Sequence, residues 1–320
     1  MPLPPDVSSE TAAGQLTDEK PGTLSLVAVI VTFNPDLEIL RRLLDACARQ
    51  ADAIVLVDNG DGALLADWLA LTPDPKIALL PLGENRGVAA AQNAGIGWAR
   101  QNRADYVLLL DHDSIPAPDM VAKLLEIART KRAEGEKIAA VGPRYYDPRR
   151  EIRPPFIRIE GLHLRRCDCG PGLPAVAAVD YLMSSGSVIP MATLAGVGGM
   201  EEKLFIDYVD IEWGLRAKKA GYQCYGVCDA AMEHSLGDRP LRFLGRQFPL
   251  HSPLRHYYMV RNGVWMCRQP WVPGNWKLVE GSRLVLRVGC YALLARPRAK
   301  HIAMMLRGLW HGLVGRMGRL

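Results

Sequence analysis

Three features that would assign this chain to a familiar class are missing from its sequence. No stretch reaches the roughly 18 uninterrupted apolar residues of a membrane span, and residues 284–295, the most apolar candidate, are interrupted by Arg287. The N-terminus is rich in Pro, Ser, Thr and acids and has no apolar core of a signal peptide, so a disordered leader is predicted over residues 1–23. The chain also contains neither a Walker loop nor a Gly-x-Gly-x-x-Gly motif.

Cysteine is present, but its spacing does not suit a zinc site. The seven cysteines are scattered, and neither Cys167-Asp-Cys169 nor Cys224-x-x-x-Cys228 is matched by a second pair at zinc-site spacing. An odd number of scattered cysteines is typical of free thiols in a reducing compartment. The sequence therefore predicts free cysteines and a cytoplasmic protein.

The whole chain has no large excess of one charge, but its two parts do. The 320 residues contain 39 basic and 34 acidic side chains. Residues 239–320 hold fifteen Lys and Arg and one acid, Glu280, which leaves 24 basic and 33 acidic side chains in the first 238 residues. The net charges are therefore +14 and −9. A strongly basic C-terminal region predicts an anionic partner, either a nucleic acid or a membrane.

Aliphatic runs alternate with helical periodicity along residues 24–132. Buried strands are predicted at Leu24–Thr32, Ala53–Val57, Ile77–Leu82 and Tyr106–Leu110. Helices are predicted at Asp36–Gln50, Gly87–Arg100 and Pro118–Arg132. The alternation predicts an α/β fold with a Rossmann-like, mostly parallel sheet flanked by helices.

The remaining residues have a weaker pattern. A long loop is predicted at Val141–Gly172, a strand with a turn at Val179–Pro190 and a helix at Phe205–Gly221. Residues 239–320 form a basic helical extension with many Trp residues, which separates them from a catalytic body over residues 24–238.

Polar residues follow the predicted strands, and ligands of such sheets bind outside the carboxyl ends of the strands. Asp111 and Asp113 come directly after a buried strand, and two carboxylates with substrate phosphates commonly hold Mg²⁺ or Mn²⁺. Solvated turn acids are the alternative. Asp58 either accepts a hydrogen bond from a nucleoside or belongs to a plain turn. Arg86, near the start of a helix, either contacts a diphosphate or lies on the surface.

A second group of acids lies among large apolar residues. Asp207, Asp210 and Glu212 are interspersed with aromatic residues, a pattern typical of a partly buried functional carboxylate that acts as a general base. Acids that merely stabilise the start of a helix are the alternative. His234, taken alone, is more typical of a structural histidine than of a metal ligand.

Five motifs in order resemble family-2 glycosyltransferases with the GT-A fold. They are Val-Thr-Phe-Asn-Pro, Val-Asp-Asn, Glu-Asn-x-Gly, Asp-x-Asp and Phe-Ile-Asp-Tyr-Val-Asp-Ile-Glu-Trp. The resemblance spans roughly residues 25–320 and includes Tyr-Tyr-x-x-Arg-Asn at Tyr257–Asn262. More narrowly, the chain is similar to bacterial rhamnosyltransferases, which use dTDP-L-rhamnose in the assembly of O-antigen lipopolysaccharide or other cell-envelope polysaccharides.

The resemblance implies an inverting transferase that depends on Mg²⁺ or Mn²⁺ and glycosylates a lipid-linked glycan. It assigns nucleoside contacts to Thr32, Asn34 and Asp58, and a diphosphate contact to Arg86. It places Asp111 at the ribose and, with Asp113 and His234, at the cation. It implies that Asp210 is the base, with Glu212 and Trp213 at the acceptor site.

Several alternatives stay open. Another dTDP- or UDP-sugar is the alternative donor. A sugar nucleotidyltransferase would have a Gly-rich loop where this chain has Thr32-Phe33-Asn34-Pro35, and a non-catalytic binding protein leaves the acids unexplained. In the basic region, Arg alternates with Leu and Trp, which favours amphipathic helices on an anionic membrane over a nucleic acid. A peripheral protein on the cytoplasmic face of the inner membrane is therefore expected, with a basic subdomain packed on the body as the alternative.

Overall fold

The computed structural model describes residues 25–60, 63–147, 153–234, 240–243 and 246–320, so the predicted leader lies outside the described residues. The strands are β1 Leu26–Thr32, β2 Ala53–Asp58, β3 Ile77–Pro81, β4 Tyr106–Asp111, β5 Ser114–Pro116, β6 Ile138–Tyr146, β7 Phe156–Glu160, β8 His163–Cys167, β9 Val176–Val179, β10 Val188–Pro190, β11 Gln223–His234, β12 Pro240–Phe243 and β13 Arg246–Pro249. The helices are α1 Leu37–Ala48, α2 Ala63–Ala70, α3 Val88–Gln101, α4 Met120–Ala133, α5 Met191–Val197, α6 Val209–Lys219, α7 Pro253–Arg268, α8 Gly274–Leu294 and α9 Arg298–Val314, with a 3₁₀ turn at Glu202–Leu204.

One sheet runs through the centre of the described structure in the order β3-β2-β1-β4-β10-β6-β11-β5, with β9 also paired to β11. The ladders β3-β2, β2-β1, β1-β4 and β6-β11 are parallel. The short strands β5, β9 and β10 pair antiparallel with their neighbours. The prediction of a mostly parallel α/β sheet flanked by helices is confirmed.

The aliphatic runs reflect a sheet that is covered on both faces. Every residue of β1 is buried, and successive side chains point to opposite sides. Val27 and Val29 pack in the core that contains α3, whereas Ala28 and Ile30 pack in the core that contains α1 and α4. The two layers of helices therefore require β1 to be apolar at every position.

The C-terminal helices share a core with the sheet. Buried residues of α7 to α9, among them Trp265, Trp276 and Met305, belong to the same apolar cluster as Val29 of β1. α7 packs against both α8 and α9. The helices thus cover one face of the α/β body.

Three sequence predictions are wrong in detail. Within the loop predicted at Val141–Gly172, β6 continues to Tyr146 and β7 pairs with β8 as a hairpin. The strand predicted at Val179–Pro190 is two short strands, β9 and β10, with different partners. β12 and β13 form a hairpin at the start of the basic region, which was predicted to be helical. These strands are short or contain Arg, so their positions depend on distant partners rather than on a local apolar run.

The prediction of free cysteines is wrong for one pair. Cys169 and Cys228 form a disulfide across 59 residues, while Cys47, Cys167, Cys224, Cys267 and Cys290 are free. The pairing joins the segment after β8 to β11, and spacing along the sequence gives no indication of it.

The contact between α3 and β1 allows a test of the fold. A Cβ atom at Gly95 would lie 2.2 Å from Val29 Cγ1 and 3.1 Å from Val57 Cγ2. We expect Gly95→Ala to lower the free energy of unfolding by roughly 1–3 kcal/mol, because the helix must move off the sheet. Urea denaturation followed by circular dichroism measures the change.

Gly97 of the same helix is the matched control, since a Cβ atom there meets no atom within 4 Å. Gly97→Ala is expected to raise the free energy of unfolding by roughly 0.5–1 kcal/mol, because alanine favours the helix. Equal unfolding free energies for the two variants would contradict the packing described.

Candidate active site

The registers of two parallel ladders bring three strand ends to one edge of the sheet. Thr32 at the end of β1 lies opposite Asp58 at the end of β2. On the other side of β1, Val31 lies opposite Asp111 at the end of β4. The edge therefore carries a hydroxyl and two carboxylates, in the place where α/β sheets bind ligands.

The β1–β2 side of this edge is almost closed to solvent. Thr32 and Asp58 are 0% and 4% exposed, and the Thr32 hydroxyl donates to Val57 O at 3.3 Å and lies 3.4 Å from Asp58 Oδ1. Asp58 Oδ1 also accepts a hydrogen bond of 3.0 Å from the backbone N–H of Gly60. Asn34 is exposed just beyond β1 and has a positive φ of 48°.

Amides fix the loop that carries Arg86. Asn59 is buried and its side-chain oxygen accepts from the backbone N–H of Arg86 at 2.8 Å. Its amide nitrogen donates to Asn85 Oδ1 at 3.2 Å. The Arg86 side chain itself is exposed and lies 4.0 Å from Glu84, so it is free to approach an anion. The sequence interpretation treated Asn59 only as part of a turn.

Asp111, Asp113 and His234 form a compact cluster. One ligand atom from each residue lies within 4.8 Å of the others. His234 is brought there because β11 pairs with β5, which places His234 opposite Ser114. His234 Nδ1 lies 2.7 Å from the Ser114 hydroxyl and 3.4 Å from Asp113 Oδ1. The structure therefore brings His234 to two acids that lie more than 120 positions earlier in the chain.

The electrostatics of the cluster suit a bound cation. Burial raises the pKa of Asp111 more than the charge of His234 lowers it. Burial would also raise the pKa of Asp113, but the hydrogen bond and charge of His234 outweigh it, so the pKa is lowered. The same carboxylates raise the pKa of His234 against the effect of burial. Two carboxylates and an imidazole are ligands that Mn²⁺ and similar divalent cations accept, so the residues fit such an ion.

The Ser114 hydroxyl bonds to the cluster through His234 and to Ser185. It lies 2.7 Å from both Ser185 Oγ and His234 Nδ1, and Ser185 Oγ accepts from the backbone N–H of Asp111 at 3.0 Å. Such hydrogen bonds orient an imidazole that binds a metal. Ser114 and Ser185 were missed in the sequence, since a buried serine carries no local pattern.

Asp210 lies in the first turn of α6, close enough to the cluster for the charge of Asp111 to affect its pKa. The pKa of Asp210 is raised to about 6, mainly by burial and also by the charges of Asp207 and Asp111, while the hydrogen bond from the backbone N–H of Ile211 lowers it. A carboxylate with this pKa is ionised at neutral pH yet basic enough to accept a proton.

Glu212 and Trp213 are turned into the protein. Glu212 is 2% exposed, and its two oxygens each accept a hydrogen bond of 2.8 Å from Arg216. Trp213 is 3% exposed and its indole N–H donates to Gly198 O at 2.9 Å. Contact with an acceptor stays a prediction for both residues, while their visible contacts hold α6 against the segment after α5.

The loop before α6 has an unusual backbone. Phe205, Asp207 and Tyr208 have φ values of 67°, 63° and 65°, a region that costs a non-glycine residue roughly 1–2 kcal/mol. The two N–H groups of the Asn262 amide on α7 lie within hydrogen-bond distance of three carbonyl oxygens of this loop, those of Leu204, Ile206 and Asp207. The sequence contains Asn262 in its Tyr-Tyr-x-x-Arg-Asn motif, but no local signal predicts that contact.

Within the described residues, no helix combines the length and the apolar composition that crossing a bilayer requires.

Sequence comparisons identify proteins to which the chain is similar. The chain matches the model of "Glycosyl transferase family 2" over residues 27–167. It is 34% identical over 251 residues to dTDP-rhamnosyl transferase RfbF of Shigella flexneri, covering 78% of this chain and 82% of that protein. It is 30% identical over 317 residues to galactofuranosyltransferase GlfT1 of Mycobacterium tuberculosis, covering 93% and 96%. The N-acetylglucosaminyl-diphospho-decaprenol L-rhamnosyltransferase of that species is 24% identical over 311 residues, covering 88% and 97%.

Solved structures share the fold at low sequence identity. GalNAc-T7 with UDP, GalNAc and Mn²⁺ superposes with a TM-score of 0.60 at 14% identity, over 93% of this chain and 57% of that chain. TarS 1–349 of S. aureus in complex with UDP-GlcNAc gives a TM-score of 0.54 at 13% identity, over 91% and 92%. These neighbours are GT-A glycosyltransferases, so the fold of this chain is GT-A.

The cluster generates a test by metal binding alone. We expect Ser114→Ala, which keeps all three ligand groups, to weaken Mn²⁺ binding by roughly 10- to 100-fold through a less ordered His234. Asp113→Asn removes a ligand group and is expected to weaken binding at least as much. Isothermal titration calorimetry with Mn²⁺ measures both.

Asp119→Asn is the control, because Asp119 is an exposed acid that pairs with Lys123. An Mn²⁺ affinity that is the same in Asp113→Asn and Asp119→Asn would show that the cluster does not bind the ion.

Proposed function

The chain belongs to glycosyl transferase family 2, and on that premise we propose that it transfers L-rhamnose from dTDP-L-rhamnose to a hydroxyl of a lipid-linked glycan. Its activity as a glycosyltransferase follows from the family. The donor is proposed from the activity for which the S. flexneri relative is named, and the acceptor class from that of the mycobacterial decaprenol enzyme. Because one relative is a galactofuranosyltransferase, another nucleotide-sugar is the alternative donor. The product would enter a cell-envelope polysaccharide such as lipopolysaccharide.

The strand ends are proposed to hold the donor. Thr32, Asn34 and Asp58 would contact the nucleoside, and Asp111 the ribose. Arg86, whose backbone is fixed by Asn59 while its side chain stays exposed, would pair with the diphosphate as a charge-assisted hydrogen-bond donor.

Asp111, Asp113 and His234 are proposed to hold Mg²⁺ or Mn²⁺. A divalent cation at these residues supplies positive charge that stabilises the departing diphosphate. Two neighbouring acids and the buried imidazole make the site selective for a cation over an anion, which supports this assignment.

Asp210 is proposed to act as the general base. The acceptor oxygen forms a bond to the anomeric carbon while the bond from that carbon to the diphosphate oxygen breaks, and the diphosphate keeps the electron pair. The proton of the acceptor hydroxyl passes to the Asp210 carboxylate. The observation that carries the proposal is the position of Asp210 in the first turn of α6, close enough to Asp111 of the cation cluster for the two charges to interact. The pKa of Asp210, raised to about 6 mainly by burial, suits a proton acceptor. A proton acceptor thus lies within electrostatic reach of the cation cluster.

A donor panel tests the activity. The purified protein, Mn²⁺ and a decaprenyl- or undecaprenyl-diphosphate glycan are combined with dTDP-rhamnose, UDP-galactofuranose or UDP-GlcNAc, and the products are analysed by mass spectrometry. We expect transfer from dTDP-rhamnose. Asp210→Asn should lower kcat on the order of 1,000-fold or more, because general base catalysis contributes about 10²–10⁴-fold, while its affinity for the donor stays the same.

Asp229→Asn changes an exposed acid elsewhere and should keep the wild-type rate. Near-normal turnover by Asp210→Asn would reject the base, and transfer from another donor alone would reject rhamnose.

The exposed face of α8 and α9 supports a membrane partner. Large apolar side chains are exposed at helical spacing, which places them along one stripe of each helix. They are Leu278, Val285, Leu286 and Leu293 on α8, and Ile302, Leu306, Leu309, Trp310, Leu313 and Val314 on α9. Proteins that act free in solution rarely expose so many neighbouring apolar residues.

The charge around this stripe favours an anionic lipid surface as its binding partner. Residues 253–320 are all described, and their one acid, Glu280, is buried at 3% exposure between Arg283 and Arg287. Exposed Arg and Lys side chains, such as Arg298 and Arg307, therefore have no exposed acid beside them in this region. Apolar residues with flanking basic residues suit the boundary between lipid headgroups and acyl chains. We infer peripheral binding at the cytoplasmic face of the inner membrane, near a lipid-linked acceptor.

Vesicle binding tests this surface. The double variant Leu306→Asp, Trp310→Asp should bind vesicles of phosphatidylglycerol and phosphatidylcholine at least roughly 10-fold more weakly than the wild type, because two exposed apolar side chains that would enter the bilayer are lost. Sedimentation with the vesicles measures binding, and transfer to a short soluble acceptor should be unchanged.

Leu71→Asp is the control, since Leu71 is 79% exposed but lies after α2. Unaltered vesicle binding by the double variant would exclude α9 as the docking surface.

A further inference from the structure

We propose that Arg261 and Asn262 of α7 are positioning residues for glycosyl transfer, because they hold the loop 204–208 in the conformation that directs Asp210 toward the acceptor. The inference rests on the proposed role of Asp210 as the base. Neither side chain is placed at the donor or the cation, so both would act through the loop.

The loop needs an external support. Phe205, Asp207 and Tyr208 all have φ between 63° and 67°, and none of them is a glycine or an asparagine. Aromatic residues such as Phe205 and Tyr208 rarely adopt such a backbone unless the surrounding structure requires it. Strain of this kind close to a reactive group is typical of functional sites.

Asn262 supplies most of that support. It is 0% exposed, and its amide nitrogen lies 3.0, 2.7 and 2.9 Å from the carbonyl oxygens of Leu204, Ile206 and Asp207. One amide group thus joins three carbonyl oxygens that the distorted backbone turns toward α7. Its own oxygen accepts a hydrogen bond of 2.9 Å from Arg261 Nε, which fixes the orientation of the amide.

Arg261 is buried together with it. Its guanidinium donates to Leu204 O at 2.8 Å and to Lys203 O at 3.3 Å, the carbonyls at the end of the 3₁₀ turn. It also lies over the rings of Tyr257 and Tyr258, at 5.4 and 4.8 Å from their centroids. Burying a guanidinium is costly and is tolerated where its donors are satisfied. The motif Tyr-Tyr-x-x-Arg-Asn therefore supplies the side chains that hold the loop 204–208, with the two tyrosine rings beside the Arg261 guanidinium.

The loop transmits this support to Asp210. Tyr208 is the residue before α6, and its carbonyl accepts the helical hydrogen bond of 2.8 Å from the N–H of Glu212. The left-handed conformation of Tyr208 therefore decides where α6 starts and which way Asp210, the second residue of the helix, is directed. A further tether runs from the Tyr208 hydroxyl to Glu280 at 2.8 Å.

The loop 204–208 also contacts Gly87 and Val88, which directly follow Arg86, the proposed diphosphate contact. Phe205 O accepts from the N–H of Val88 at 2.7 Å, and a Cβ atom at Gly87 would lie 2.5 Å from that oxygen. The loop 204–208 is therefore wedged between the Arg86 loop and α7. Its position sets the spacing between the proposed base and the proposed donor contacts.

Asn262→Ala tests the positioning role in the full-length protein. We expect kcat for rhamnosyl transfer to fall by roughly 10- to 100-fold, as misplacement by about 1 Å can cost that much, while KM for the donor changes less than about 2-fold. The acid limb of the pH profile of kcat should also move. In the wild type we expect it near pH 6, because Asp210, whose pKa is raised to about 6 mainly by burial, must be ionised. A loosened, better hydrated Asp210 should move it toward the ordinary value of about 4.

The pH shift distinguishes positioning from a loss of stability, which would leave the limb of the remaining folded enzyme near pH 6. The neighbouring charges of Asp207 and Asp111, and of Arg255 bonded to Asp207, are unchanged in this variant. Gln223→Leu is the matched control, since its amide joins the carbonyls of Val179 and Cys224 at the far end of β11. It should lower stability without changing kcat or the acid limb.

Tyr208→Phe provides a second test if Asn262→Ala does not fold. It removes the tether to Glu280 while preserving the volume of the side chain, and it should produce the same two changes at smaller size. Wild-type kcat and acid limb in a folded Asn262→Ala, or in Tyr208→Phe where Asn262→Ala does not fold, would overturn the inference. An active Asp210→Asn variant would instead reject the proposed base, so the two failures are distinguishable.

Discussion

Two parallel ladders, one on each side of β1, hold the ends of β1, β2 and β4 at one edge of the sheet. Their registers place Thr32 opposite Asp58 and Val31 opposite Asp111. Parallel strands need both faces covered, so the apolar runs and the two helical layers follow from the same constraint. The polar residues that end each strand are then forced into a common region, and every proposed donor contact lies there or in the loops that follow.

The C-terminal helices complete the site from the other direction. Their inner surface carries buried polar groups, Arg261, Asn262 and Glu280, that bond to the segment before α6. Their outer surface carries exposed apolar and basic side chains. The excess of positive charge in residues 239–320 therefore includes both kinds of residue. Glu280 is buried and bonded to Tyr208, Arg283 and Arg287, so the outer surface of α7 to α9 has no acidic side chain.

Much of the fold was predictable because burial follows local periodicity. The predicted strands at the positions of β1 to β4 and the predicted helices at α1, α3 and α4 correspond to elements of the structure. β11 was not predicted, although it is twelve residues long, because Gly226, Asp229 and Glu233 interrupt its apolar pattern. Its stability comes from pairing with β6, β9 and β5, which no short window of sequence contains.

The alternating α/β pattern, the acids at the strand ends and the uneven distribution of charge could all be predicted from the sequence, since each depends on neighbouring residues. Which of the candidate residues meet depended on how distant segments pack. His234 joins Asp111 and Asp113 because β11 and β5 pair across 120 residues, and Asn262 supports the loop before Asp210 because α7 packs against it. Hydrogen bonds between distant segments satisfy buried polar groups whose partners are set by packing and leave no periodic trace in the chain.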